Sequence, residues 1–140
     1  MKDVYIYPAI FDYADDGISI EFPDLPGCLP CASTTDEAVK NAKEAMGLHL
    51  WGMEKDNDEI SMATDIRNLE LDKNQIPFLV EVFMPPIRER LNNRFVKKTL
   101  SIPTWLNAEA EYHGVNFSQL LQQALKEYLK IENDKKKAAL

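Results

Sequence analysis

The first quarter of the chain groups five carboxylates that could support metal chemistry. They are Asp12, Asp15, Asp16, Glu21 and Asp24. Paired carboxylates can hold divalent metal ions in a hydrolytic site. However, Asp15 and Asp16 precede a glycine in a turn sequence, where aspartate is common because its side chain hydrogen-bonds to nearby backbone. Glu21 falls on the outward face of a predicted strand. Because the spacing identifies no third and fourth ligand, the pattern favours structural roles over catalysis.

A Cys-x-x-Cys pair follows, formed by Cys28 and Cys31. A structural zinc site needs four ligands, but the chain has no other cysteine and its histidines, His49 and His113, lie in other segments. A redox pair normally sits at a helix N-terminus, whereas Pro30 lies between these cysteines in an extended pattern. Positions three apart in an extended segment face opposite sides. We therefore expect two structural or incidental thiols, and no metal or other cofactor.

The last third of the chain alternates polar and apolar side chains over residues 94–102, which read Arg-Phe-Val-Lys-Lys-Thr-Leu-Ser-Ile. This pattern predicts a strand, yet a lone strand is unstable and no second one follows. Pairing with the same segment of a second copy solves the problem, and such two-stranded ribbons can lie in the major groove of DNA. We expect Leu100 and Ile102 to face inward. The opposite face would then carry Lys97, Thr99 and Ser101. Lysine, serine and threonine can hydrogen-bond to base edges.

Two helices are predicted after this segment. The first covers residues 104–113 and stops at Gly114. The second begins after Asn116, a preferred N-cap residue, and carries a wide apolar face. Because the first N–H groups of a helix can bind a phosphate, this N-terminus adds three candidate DNA-binding residues. They are Asn116, Phe117 and Ser118.

The first part of the chain predicts sheet structure. Two β-branched and aromatic runs flank the turn sequence Asp15-Asp16-Gly17 and indicate a hairpin. Pro8 marks an edge or a bulge in the first strand. A short third strand is predicted at roughly residues 28–33.

A helix and a fourth strand complete this domain. Thr34 and Glu37 form a capping box for a helix that runs to about residue 51. Residues 52–75 are polar and irregular, and residues 78–84 form a strongly predicted strand. The order β-β-β-α-β predicts a small α+β domain.

Charge divides the chain at Pro85-Pro86. Residues 1–84 contain 6 Lys/Arg and 17 Asp/Glu, a net charge of −11, whereas residues 85–140 contain 10 and 6, a net charge of +4. The acidic part can attract a basic protein, whereas the positive charge of the basic part is compatible with binding to DNA. The expected parts are a domain over 1–84, a short basic linker over 85–93 that can form one or two helical turns, a second domain over 94–132 and a charged tail over 133–140.

Bulk properties set the cellular context. No apolar run approaches the length of a membrane span, and the first residues, Met-Lys-Asp-Val, lack a signal-peptide pattern. We therefore expect a cytoplasmic protein with no membrane partner.

Three segments resemble the HicB antitoxin family: residues 7–11, 16–28 and 35–45. The most specific is the string Glu-Phe-Pro-Asp-Leu-Pro-Gly-Cys at residues 21–28. Residues 94–131 look like a ribbon-helix-helix domain of the Arc and MetJ type, one of the two C-terminal domains that this family uses. The resemblance implies a pared-down RNase H-like fold for the first domain and a ribbon-helix-helix fold for the second.

The resemblance also implies a role in a type II toxin–antitoxin system. The first domain would bind and neutralise a HicA-type toxin, a small basic mRNA interferase. The second would form a homodimer that binds operator DNA and represses the operon. Toxin could also bridge antitoxin dimers in a higher-order hetero-oligomer. The affinity for the operator would then depend on the ratio of toxin to antitoxin. The implied protein is not an enzyme.

Three alternatives stay open at this point. A stand-alone ribbon-helix-helix repressor would lack a toxin partner. A metal-dependent RNase H-like nuclease would depend on Asp12 and Asp24. A plain dimeric interaction module would bind no DNA.

Overall fold

The structure, a computed structural model, describes residues 1–131. It forms two compact units, one over Met1–Phe95 and one that begins at Val96. Every helix in the described part of the chain is too short or too polar to cross a bilayer. The expected charged tail, 133–140, lies outside the described residues, as does residue 132.

The first unit is built on a four-stranded antiparallel sheet with the strand order β3-β2-β1-β4. The strands are β1 (Val4–Ala14), β2 (Gly17–Glu21), β3 (Cys31–Ala32) and β4 (Gln75–Phe83). The predicted hairpin is confirmed, since Ala14 pairs with Gly17. Gly17 has a φ of 144°, and a Cβ there would lie 3.0 Å from the carbonyl oxygen of Ala32. This turn therefore requires glycine.

Pro8 lies within β1 without breaking the sheet. β1 pairs with β4 along residues 4–12 but with β2 only from Ile10 onward. Tyr13 donates its N–H to the carbonyl oxygen of Asn74 (3.1 Å). Because backbone groups alternate in direction along an antiparallel strand, odd-numbered β1 residues point to β4 and Pro8 points away from it. Its missing N–H removes no sheet hydrogen bond, as at an edge position.

One long helix, α1 (Thr35–Lys55), covers one face of this sheet. The Thr34 side chain caps it by accepting a hydrogen bond from the Glu37 N–H (3.2 Å), which confirms the predicted N-cap. Ala38, Ala42, Met46 and Leu50 are buried on its inner side. Small alanines let the helix approach the sheet closely, and the helix continues one turn past the predicted end at residue 51.

Residues 56–74 follow α1 and contain one short 3₁₀ helix, Ile66–Asn68. We call this segment the strap. The Tyr7 hydroxyl donates to the carbonyl oxygen of Ser61. The Asp24 carboxylate accepts hydrogen bonds from the N–H (2.9 Å) and the hydroxyl (2.6 Å) of Thr64. The strap is thus fixed to β1 and to the loop after β2 by contacts between residues distant in sequence.

Residues 84–92 form helix α2 (Met84–Asn92), which covers most of the segment 85–93 that the sequence predicted as a linker of one or two helical turns. Pro85 and Pro86 open the helix, at positions where a missing N–H does no harm. A Cβ on Gly47 would lie 2.6 Å from Ile87 Cδ1, so glycine in α1 allows α2 to pack closely. The first compact unit therefore continues past residue 84 to Phe95.

Arg88 connects α2 to the rest of the first unit. Its guanidinium donates to both carboxylate oxygens of Glu54 (2.8 and 2.9 Å) and to Asp3 (3.0 Å). The Glu54 side chain is only 6% exposed. The hydrogen bond to Glu54, together with Asp3, raises the pKa of Arg88 above its usual value, so the guanidinium remains charged.

The second unit contains two helices, α3 (Thr104–Tyr112) and α4 (Phe117–Tyr128). Gly114, with a φ of 66°, separates them. α3 agrees with the predicted 104–113 to within a residue, and α4 begins after Asn116 as predicted. Residues 94–103 have no regular secondary structure. The strand predicted at 94–102 needs a second copy as its partner, and it stays a prediction.

Candidate functional site

The segment before α3 presents the three residues predicted to read DNA. Lys97, Thr99 and Ser101 are all exposed. Within residues 1–131, their side chains form no hydrogen bond or ion pair. They are available to a ligand, and their role in DNA binding stays a prediction.

The N-terminus of α4 has the predicted geometry. Asn116 accepts a hydrogen bond from the Gln119 N–H (3.1 Å), and the first helical bond runs from Leu120 N–H to the Asn116 carbonyl oxygen (3.0 Å). The N–H groups of Phe117 and Ser118 precede that bond, and such groups point out of the helix end. They could meet a phosphate there.

Apolar side chains of the second unit are exposed throughout. None of residues 96–131 is buried. Val96 is 88%, Trp105 69% and Leu120 55% exposed. The other exposed large apolar side chains are Leu100, Ile102, Leu106, Tyr112, Phe117, Leu121, Leu125, Tyr128, Leu129 and Ile131. Apolar surface of this extent often marks an interaction site, which makes residues 96–131 a candidate binding surface.

The five candidate carboxylates of the first unit do not form one site. Asp12 accepts a hydrogen bond from the Gln75 side chain (3.1 Å), and Asp24 holds Thr64 of the strap. Asp15 and Asp16 lie exposed in the β1–β2 turn, and Glu21 is exposed as expected. In the described part of the chain, no three His, Cys, Asp or Glu side chains come together as metal ligands.

The two cysteines lie in different environments. Cys28 is buried and Cys31 is exposed, and neither forms a disulfide. Burial raises the pKa of the Cys28 thiol to about 11, so this thiol is protonated at neutral pH. The arrangement agrees with the expected opposite orientation of the two side chains.

The face of the sheet opposite α1, which we call the outer face, carries a surface that the sequence reasoning missed. Val4, Ile6, Leu79 and Phe83 are 42–54% exposed there. We call these four side chains the outer patch. They form one group because Val4 pairs with Phe83, and Leu79 pairs with Pro8 beside Ile6. The available signal was that most positions of β1 and β4 are apolar on both sides of the strand, which is typical of a sheet covered on both sides.

The family comparison covers nearly the whole described chain. Residues 7–125 match the family described as HicB_like antitoxin of bacterial toxin-antitoxin system. An uncharacterised 14.9 kDa protein in the rep-hol intergenic region of Haemophilus phage HP1 (strain HP1c1) is 34% identical over 77 residues. That match covers 55% of this chain and 58% of the phage protein, a little over half of each.

Solved structures support the fold. A toxin–antitoxin complex from Streptococcus pneumoniae contains a chain that is similar with a TM-score of 0.58 and 24% identity, over 89% of this chain and 99% of that one. The antitoxin HicB of Burkholderia pseudomallei is similar with a TM-score of 0.52 and 21% identity, over 89% and 98%. The mixed α+β architecture is thus shared with known antitoxin structures. With a family match that extends from β1 into α4, this chain belongs to the HicB-like antitoxin family of bacterial toxin–antitoxin systems.

Proposed function

We propose that this protein is an antitoxin that neutralises a small basic HicA-type mRNA interferase through its first unit. A homodimer formed through residues 94–102 binds the operator of its own operon and represses transcription. Family membership supports toxin binding, as does the net charge of −11 on residues 1–84. The observation that carries the regulatory half is the complete lack of buried residues in 96–131.

A second copy is the partner that best fits the exposed apolar surface of the second unit. Residues 94–102, whose polar and apolar side chains alternate, have no strand partner within residues 1–131 and precede two helices that carry apolar side chains. Pairing residues 94–102 with their copy forms a two-stranded ribbon, and the helices of both chains then cover each other's apolar faces. Burial of this surface supplies the stability that one copy lacks. The result is a ribbon-helix-helix dimer.

DNA fits the polar side of this dimer. Lys97, Thr99 and Ser101 would share one face of the ribbon, suited to base edges in the major groove. The N–H groups of Phe117 and Ser118 would meet the phosphate backbone. The basic balance of residues 85–140 supports the same contact, since cationic groups supply much of the affinity for DNA.

Operator binding is tested with a pair of adjacent lysines. Lys97→Ala removes a group from the proposed reading face, and Lys98→Ala removes the same charge from the other side of the strand. We expect a loss of about tenfold in operator affinity for Lys97→Ala, within the range for a base contact, and a clearly smaller loss for Lys98→Ala. The measurement is fluorescence anisotropy with DNA from upstream of the gene. Equal effects of the two variants would contradict the assigned face.

Toxin neutralisation is tested by co-expression. The full chain is expressed with the small basic protein encoded beside its gene, and we expect a stable complex and relief of growth arrest. Absence of such a reading frame, or of a complex, would favour a stand-alone repressor. RNA cleavage by the purified chain with Mg²⁺, lost in Asp24→Asn, would instead favour a nuclease.

A further inference from the structure

We propose that a basic protein docks on the outer patch and pairs with the free edge of β4. This inference rests on the proposed function, in which the basic protein is the toxin. It assigns the contact to one surface of the first unit, around Val4, Ile6, Leu79 and Phe83.

The outer patch is contiguous and uncovered. The register places Val4 opposite Phe83, Ile6 opposite Glu81 and Pro8 opposite Leu79 on the adjacent strands β1 and β4. Directly paired side chains are neighbours on one face of a sheet. α1 and most core residues lie on the other face. On this face Pro8 and Ile10 are buried, but none of residues 1–131 covers the four patch side chains enough to bury them. Interface cores are formed by such apolar groups within a polar rim.

β4 is the last strand of the sheet, so one side of its backbone is unpaired. Odd-numbered β1 residues point to β4, and the register joins them to even-numbered β4 residues, such as Tyr7 to Val80. The N–H groups of Leu79, Glu81 and Phe83 therefore point to the open edge. Pro77, which has no N–H, ends this row. A partner strand can pair beside residues 79–83.

The charge on the outer face selects a basic partner. The carboxylate side chains at the outward positions of the four strands are Asp12, Glu21 and Glu81, and these positions carry no lysine or arginine. Glu81 lies within the patch itself, opposite Ile6. A second copy would bring the same carboxylate and a first unit of equal negative charge to the interface, which is unfavourable. A cationic protein gains from both the apolar and the acidic groups.

Two substitutions on the full chain test this surface. Glu81→Lys reverses the charge at an exposed position, and Leu79→Lys places a cation on the patch. Matched controls are Glu59→Lys in the strap and Leu48→Lys on α1, both at exposed positions. The probe is the co-expressed small basic protein from the adjacent reading frame, with affinity measured by calorimetry. Operator binding and the unfolding midpoint report whether each variant is folded.

We expect each patch variant to weaken the complex by about tenfold or more, in the range of central interface residues. Operator binding should not change, and the controls should stay within about twofold of the parent chain. In hydrogen exchange, the amides of Leu79, Glu81 and Phe83 should exchange rapidly in the free protein and slowly in the complex.

Three results would overturn the assignment. Parent-like binding by both patch variants would place the contact elsewhere and leave the proposed function intact. A drop in the mass of the free protein in Leu79→Lys, with unchanged binding of the basic protein, would identify a second copy as the occupant. Failure of the parent chain to bind the probe would reject both this surface and the proposed toxin partner.

Discussion

The two units of this protein differ in how they treat their apolar side chains. Every buried residue of the described chain lies between Tyr5 and Met84, where α1 closes one face of the sheet. Between Val96 and Ile131 no residue is buried, although apolar side chains are frequent there. Apolar burial is the main favourable term in folding. One copy therefore supplies a buried core in the first unit but none in residues 96–131 of the second, and this difference is the basis for the proposed dimer.

The largest effect is expected for a substitution that disrupts only the second unit. Leu121→Asp places a carboxylate on the apolar face of α4, where the proposed dimer would bury it. An unpaired buried charge is strongly unfavourable, so we expect the dimer to weaken by more than about a hundredfold, equivalent to about 3 kcal/mol. Operator binding should be lost with it. The measurement is sedimentation equilibrium.

Leu48→Asp is the matched control for that change. Leu48 is an exposed leucine of α1 in the first unit, and the same substitution should leave the dimer and operator binding unchanged. Equal weakening by both variants would show that general destabilisation, rather than the face of α4, controls assembly.

An intermediate effect is expected within the first unit. Arg88→Met removes the partner of Glu54, whose carboxylate is nearly buried, and detaches Asp3 as well. Hydrogen bonds to charged groups contribute about 1.5–3 kcal/mol, so the free energy of unfolding should fall by about that amount. Urea unfolding followed by the fluorescence of Trp51 measures it.

Arg67→Met provides the comparison for this ion pair. Arg67 and Asp65 form an exposed pair, with side chains 85% and 39% exposed, and water screens such a pair so that it contributes little to stability. A loss for Arg67→Met as large as that for Arg88→Met would contradict the role of burial at Glu54.

The smallest effect is a difference in reactivity between the two thiols of the first unit, which tests whether its core excludes solvent. The Cys28 thiol is buried and its pKa is raised to about 11, so little of it is thiolate, the reactive form, at pH 8. Cys31 is exposed. We expect one thiol per chain to react with a disulfide reagent in the native protein and two in denaturant, and none in native Cys31→Ser. Equal native reaction rates of the two thiols would show that the core around Cys28 is open.

Local interactions explain which features the sequence could predict. The Thr34 cap of α1, the Gly17 turn and the Asn116 cap of α4 all depend on residues within a few positions of each other, and all three appear in the structure. Both helices of the second unit were predicted for the same reason. Their apolar faces were predicted too, because helical spacing is visible in the sequence alone.

Long-range contacts explain what the sequence could not show. A Pro85-Pro86 sequence can end a domain or begin a helix. Here it begins α2, which is held against α1 by the close packing of Ile87 on Gly47 and by the hydrogen bonds between Arg88 and Glu54. The strap has no periodic pattern, and its position depends on Tyr7 and Asp24, at separations of 54 and 40 residues. The outer patch was missed because an apolar strand does not reveal which of its faces a helix covers.

The dependence of unfolding on protein concentration tests the central claim most directly. The chain has two tryptophans, Trp51 in α1 and Trp105 in α3, so Trp51→Phe leaves Trp105 as the only tryptophan reporter, within the second unit. If that unit is completed by a second copy, its urea midpoint rises as protein concentration increases over a hundredfold range, while the midpoint of Trp51 in Trp105→Phe does not. A Trp105 midpoint that stays constant, with the native mass of a single chain, would contradict the account.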